Sequence, residues 1–133
     1  MAEATRSVLT VQAPVPLLTA NRVRSMHFHE RSKLVRHWRW GTRIYAIAAH
    51  IPPYQTAELE FHVILGRKKR RRMPDHDAFA PTIKAVIDGM VDAGVFANDG
   101  PTTILSSQVN AGTWGNSDCV VVEIVGQLKE SAA

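Results

Sequence analysis

Asp75 and Asp77 are two carboxylates separated by a single residue, and they closely follow six consecutive cations, Arg67, Lys68, Lys69, Arg70, Arg71 and Arg72. Downstream, Lys84, Asp88 and Asp92 recur every fourth residue, and Asn98 and Asp99 stand just past Gly94. Hard divalent cations such as Mg²⁺ take oxygen ligands and keep waters and phosphate oxygens in their shell, so two or three carboxylates suffice to build a site for one. Cations beside such acids suit a site that must hold a polyanion and a metal together. A plainer reading is also open. Asp75 and Asp77 can be helix-start acids facing the helix dipole, Asp99 can initiate a turn, and Lys84 can pair with Asp88 for about 0.2–0.5 kcal/mol.

The charge is segregated along the chain. The formal net charge is +4, yet Met1–Arg72 carries 14 of the 16 Lys and Arg and only 4 of the 12 acids. A basic half and an acidic half favour an oriented polyanionic partner over a neutral one.

These residues need elements to position them. "SVLTVQ", Ser7–Gln12, alternates and is β-branched, and the prolines of "PVPLLTAN" stop it, which predicts a first strand followed by a loop carrying Asn21. From about Glu30 to Ala49 the spacing predicts a helix, with Leu34, Trp38, Tyr45 and Ala48 on its apolar side and Arg36, Arg39 and Arg43 on another. Gly41 weakens its middle, and "IPPY" ends it. "AELEFHVIL", Ala57–Leu65, alternates Glu58, Glu60 and His62 against Leu59, Phe61 and Val63, the pattern of a strand with one buried face. Pro81 suits a first helical turn, after which Ile83, Val86, Ile87, Met90 and Val91 follow helical periodicity up to a cap at Gly94. Two more strands are predicted at Thr103–Asn110 and Cys119–Val125, joined by the turn-rich "AGTWGNS", with residues 127–133 as a frayed tail. The expected order is β-α-β-α-β-β, a single α+β domain with helices packed on a mixed sheet.

The stretch "RRRMPDHDAFAPTIKAVIDGMVDAGVFANDGP", Arg70–Pro101, resembles the signature of the RusA-like Holliday junction resolvases, particularly the phage-type members. "LTAN", Leu18–Asn21, resembles that family's N-terminal loop. The resemblance implies that Asp75, Asp77 and Asp99 are the catalytic, metal-binding carboxylates, that Lys84 is the catalytic lysine, and that the cofactor is Mg²⁺, with Mn²⁺ as a substitute. It further implies a homodimer that binds four-way or branched DNA and cuts two opposed strands. Two positions depart from the pattern: Ala78 stands where the family has an asparagine, and Asn98 stands where it has the first of two acids.

In that frame Arg67–Arg72, with Arg36, Arg39, Arg43 and Asn21, are the expected DNA contacts, neutralising phosphates with little sequence information. Trp38 and Trp40 offer a wedge for an opened junction or, more ordinarily, core packing. His27 and His29 do not make a zinc site without cysteine or further carboxylates. His76 is expected to face solvent and Cys119 to lie in the core. With 133 residues and one cysteine the chain is one domain without an internal disulfide. No apolar run suggests a membrane span and the N-terminus does not read as a secretory signal, so a cytoplasmic location is expected. No organic cofactor is expected. The competing expectation is a non-catalytic DNA-binding module in which the acids are structural.

Overall fold

The structure, a computed structural model, describes residues 3–67 and 72–130. Strand β1, Thr5–Gln12, is followed by a short helix α1, Ala20–Ser25, a long helix α2, Phe28–Ala48, and strand β2, Tyr54–Gly66. A 3-10 turn, His76–Phe79, leads into helix α3, Ala80–Asp92, and the chain continues with β3, Ile104–Val109, β4, Thr113–Gly115, and β5, Cys119–Leu128. The main path across the sheet is β1-β5-β2-β3, and β4 also pairs with β2. β5 is antiparallel to both neighbours, whereas β3 and β4 run parallel to β2. This is the mixed-sheet α+β architecture that the sequence predicts.

Alternation decides which face of the sheet is covered. Leu59, Phe61 and Val63 on β2, Val120, Val122 and Ile124 on β5, and Leu9 and Val11 on β1 are all buried, and they join Trp38, Phe79, Ile83, Val86 and Met90 from the helical layer in one core. The intervening residues, including Val8, Glu58, Glu60, His62 and Glu123, are exposed or half-buried on a face the helices leave open. Antiparallel and mixed sheets tolerate one solvated face in this way.

The two long helices touch at backbone distance. A Cβ added at Gly89 of α3 would stand 2.5 Å from the carbonyl oxygen of Arg39 and 2.6 Å from Thr42 Cβ, so only glycine permits this crossing. α2 ends with Ile51 N–H donating to the Ala46 carbonyl at 3.2 Å and His50 in the left-handed region. Gly94, also left-handed, ends α3 as the sequence predicts.

Four sequence expectations need correction. Asn21 lies not in a loop but in the first turn of α1, which Thr19 caps by accepting the Arg22 N–H. Of the predicted apolar side of α2, Trp38 is buried and Leu34 packs against the core, but Tyr45 and Ala48 are exposed; the helix buries Gly41, Thr42 and Ala46 in their place, because its contact with α3 selects small side chains. The "AGTWGNS" connection contains β4, which extends the sheet beyond the end of β3. Gln127 and Leu128 belong to β5, paired with Thr56 and Tyr54 of β2; of the expected frayed tail, residues 131–133 lie outside the described residues.

Candidate functional site

The burial of Phe79 fixes where the paired carboxylates point. Its ring is fully buried at the end of the 3-10 turn, and the residues leading to it, Asp75 and Asp77, are left exposed. Asp75 precedes the turn in extended conformation and makes no side-chain capping bond. Neither acid forms a salt bridge with another described residue.

Both carboxylates line a cavity of about 510 Å³ together with Asn21, Arg24, Arg72, Met73, Pro74 and Ala78. Asn21 and Arg24 come from α1, which is held near α3 by a buried anchor: Leu18 N–H donates to Thr82 Oγ1, and the same hydroxyl donates to the Leu18 carbonyl, both at 2.8 Å. The structure thus unites four sequence-predicted residues, Asn21, Arg72, Asp75 and Asp77. It also adds Arg24, which periodicity could not find because α1 is too short to show any. Ala78 contributes a small apolar wall to the same cavity. Asp77 further lines a second cleft, of about 580 Å³, with His76, Ser106, Ser107 and Gln108 along β3.

Lys84 and Asp99 are brought together, apart from that cavity. Lys84 Nζ donates to Asp88 Oδ1 at 3.1 Å and to Asp99 Oδ2. The Asp99 contact, then the Asp88 contact, raises the Lys84 pKa above its ordinary value, and Lys84 in turn lowers that of Asp99. The chain reaches this position because buried Val95 and Phe96 turn it back: Val95 N–H donates to the Met90 carbonyl and Tyr54 N–H donates to the Val95 carbonyl. Residues 95–99 therefore double back along α3 within one chain. Asn98 closes the following turn, its Oδ1 accepting from Gly100 N–H at 2.9 Å and Thr103 Oγ1 at 3.1 Å. Asp75, Asp77 and Asp99 do not close into a trio of mutually adjacent ligand atoms. Among the described residues, Glu60, His62 and Glu123 do: one ligand atom from each lies within 4.8 Å of the others, and this group could hold a metal ion. The sequence alternation already put Glu60 and His62 on one face; Glu123 joins them only through the pairing of β5 with β2.

The remaining cations divide. Arg36, Arg39 and Arg43 line a separate cavity of about 540 Å³ on α2 with Lys33, His37, Trp40 and Asp92. Arg39 is committed to Asp92 of α3, Nε to Oδ2 at 2.5 Å and Nη2 to Oδ1 at 2.8 Å, a bidentate pair that raises the arginine pKa and lowers the aspartate's. Arg36 and Arg43 form no salt bridge with a described residue. Trp38 is core, its indole N–H donating to the Pro16 carbonyl, whereas Trp40 is 62% exposed. Arg67 is exposed; the expected contacts Lys68, Lys69, Arg70 and Arg71 lie outside the described residues. Cys119 is buried, and burial pushes its thiol pKa up, against a nucleophilic role. No helix among the described residues is long and apolar enough to cross a membrane.

No family model and no curated protein matches the sequence. Among solved structures the chain is similar to the hydrogenase maturation protein HypE in complex with ATP, at 7% identity and a TM-score of 0.40 over 98% of this chain and 32% of that one. It is also similar to the HypE–HypF complex, at 15% identity and a TM-score of 0.39 over 96% and 34%. A third is HypE of E. coli, at 13% identity and a TM-score of 0.33 over 99% and 34%. The chain spans about a third of the length of these proteins.

Proposed function

We propose that this chain is a structure-selective endodeoxyribonuclease of the RusA-like kind, acting as a homodimer on four-way or other branched DNA. The observation that carries the reading is the shared cavity: two exposed carboxylates, Asp75 and Asp77, face it together with the cations Arg24 and Arg72 and the amide of Asn21. Oxygen donors without a competing salt bridge among the described residues suit a hard cation, and flanking guanidiniums suit the phosphates of a nucleic acid.

Asp75 and Asp77 are the residues that would hold Mg²⁺, or Mn²⁺ in its place. The ion would supply a water of lowered pKa and charge stabilisation for phosphodiester hydrolysis. Arg24 and Arg72, which line the same cavity as the carboxylates, bind and orient the phosphate, and Asn21 offers a neutral donor to the same group. Lys84, engaged by Asp88 and Asp99, keeps Asp99 ionised beside α3. A two-fold protein matches the two symmetry-related scissile phosphates of a four-way junction.

The test is cleavage of a labelled mobile four-way junction and a matched linear duplex, with Mg²⁺ and with EDTA, by wild type and Asp77→Asn. Paired, metal-dependent nicks confined to the junction and absent in the variant support the reading. Salt-sensitive binding without cutting, equal in both proteins, would instead make the chain a DNA-binding module. Ala78, at the position of the pattern's asparagine, is the feature that would accompany such a loss.

A further inference from the structure

The open face of the sheet carries a charge arrangement that the proposed nuclease does not use. Glu60 of β2 and Glu123 of β5 are direct cross-strand partners. Like charges placed opposite each other destabilise a sheet. The same face adds Glu58, and these three acids line one cleft of about 280 Å³ in which Arg6 is the one cation among the described residues. A face that had only to stay wet would gain by alternating the sign of its charges. His62, two residues from Glu60 and therefore on the same side of β2, completes the trio whose ligand atoms stand within 4.8 Å of one another.

Groups outside the trio already hold its members. Arg6 Nη2 donates to Glu123 Oε1 at 2.8 Å, and Asn110 Nδ2 donates to Glu60 Oε1 at 2.7 Å. One oxygen of each carboxylate is thereby tethered, and the other is left without that tether. Asn110 Nδ2 also lies 3.2 Å from His62 Nδ1, while His62 Nε2 lies 3.4 Å from Glu123 Oε2. Carboxylates that ligate metals are typically oriented by such outer hydrogen bonds, whose removal costs about 10–100-fold in affinity; His62 Nδ1 faces the Asn110 donor, so ligation through Nε2 moves the ring proton to Nδ1 and gives up that contact.

We infer that Glu60, His62 and Glu123 bind one first-row transition-metal ion, Zn²⁺ by preference. One imidazole nitrogen with two carboxylate oxygens suits Zn²⁺ or Co²⁺, whereas Mg²⁺ and Ca²⁺ favour shells made wholly of oxygen. The ion converts the Glu60–Glu123 repulsion into shared coordination and clamps β2 to β5. It leaves a coordination position open toward solvent on an exposed cleft. The site shares no residue with the Asp75–Asp77 cavity, and the inference stands independently of the nuclease reading.

Calorimetric titration of Zn²⁺ into chelator-treated protein tests it, using wild type, His62→Gln, Glu123→Gln, a double Asp75→Asn/Asp77→Asn variant and a double His27→Gln/His29→Gln variant. The last is needed because His27 and His29 stack at 5.2 Å at the start of α2. The expected result is one equivalent bound by wild type and by both double variants, weakened at least about tenfold in His62→Gln and Glu123→Gln. Visible absorption of bound Co²⁺ should change with His62→Gln alone among the histidine variants. Absence of binding, or binding lost only with His27 and His29 or only with the aspartates, overturns the proposal. His62→Gln, at a partly exposed position, carries the test should Glu123→Gln fail to fold.

Discussion

The hydroxyl of Thr82 on α3 is bonded twice to the backbone of Leu18, accepting its N–H and donating to its carbonyl, with both residues fully buried. This pair seats the chain just before α1, and α1 supplies Asn21 and Arg24 to the Asp75–Asp77 cavity. Thr82→Val keeps the shape and removes both bonds, leaving a buried donor and a buried acceptor unmatched. A loss of about 1–3 kcal/mol per orphaned group is expected in urea unfolding. Thr82→Ser, which retains the hydroxyl, should recover most of it. Equal melts for all three proteins would show that the anchor is not made.

Gly89 sets two effects against each other. Alanine is the better helix former by about 1 kcal/mol, so Gly89→Ala on an open helix face would stabilise. Here the new Cβ would meet the Arg39 carbonyl oxygen at 2.5 Å and Thr42 Cβ at 2.6 Å, both on a packed helix that cannot easily retreat. Overpacking of this kind costs about 1–3 kcal/mol, so the net effect is destabilising. A lowered denaturant midpoint with an unchanged slope is the expected outcome, and a raised midpoint would mean that the helices separate readily.

The Lys84–Asp99 pair makes a prediction about pH. Asp99 titrates below the ordinary aspartate range of about 3.9 because Lys84 holds its ionised form. Its contribution is therefore present above that range and lost as pH falls through the depressed folded-state value. Lys84 titrates above its ordinary value of about 10.4, so its contribution is present below that value and lost as pH rises through the elevated one. In carbon-detected NMR titration the Asp99 carboxyl should show a depressed midpoint that returns to the ordinary range in Lys84→Met. In Asp99→Asn the Lys84 midpoint should fall only part of the way, because Asp88 remains beside it. An Asp99 midpoint insensitive to Lys84→Met would mean the pair does not persist in solution.

The elements that position the candidate site were legible to different degrees, for physical reasons. β2 and α3 could be read from their periods because each has one covered face: Leu59, Phe61 and Val63 are buried, as are Ile83, Val86 and Met90. α2 misled because its apolar residues point both ways. Trp40, Ile44 and Ile47 are exposed while Trp38 and Ala46 are buried, and the packed stripe is chosen by the small residues Gly41 and Thr42. α1 and β4 are too short to show a period at all. Asp75 and Asp77 could be found from local spacing, but Glu123 belongs with Glu60 and His62 only once β5 lies beside β2, and no local pattern encodes that adjacency. Arg39 illustrates the same limit, since its partner Asp92 comes from another helix.

That commitment of Arg39 separates the cations of α2 by what they can still do. If α2 contacts DNA as part of the proposed nuclease, each phosphate contact contributes about one unit to the salt dependence of binding. Arg36→Ala and Arg43→Ala should therefore each weaken binding to a four-way junction across all sequences and reduce the slope of log affinity against log salt by about one. Arg24→Ala, at the cavity that holds the carboxylates, should do the same. Arg39→Ala should change the slope less, because its guanidinium is already occupied bidentately by Asp92. Its stability cost should be small, since the pair is partly solvent-exposed and such pairs are typically worth under about 1 kcal/mol. Fluorescence anisotropy of a labelled junction over a range of salt concentrations measures all four slopes. Arg39→Ala matching the other three would show that Asp92 releases the arginine when DNA binds, and unchanged slopes for Arg36→Ala and Arg43→Ala would remove α2 from the DNA-binding surface.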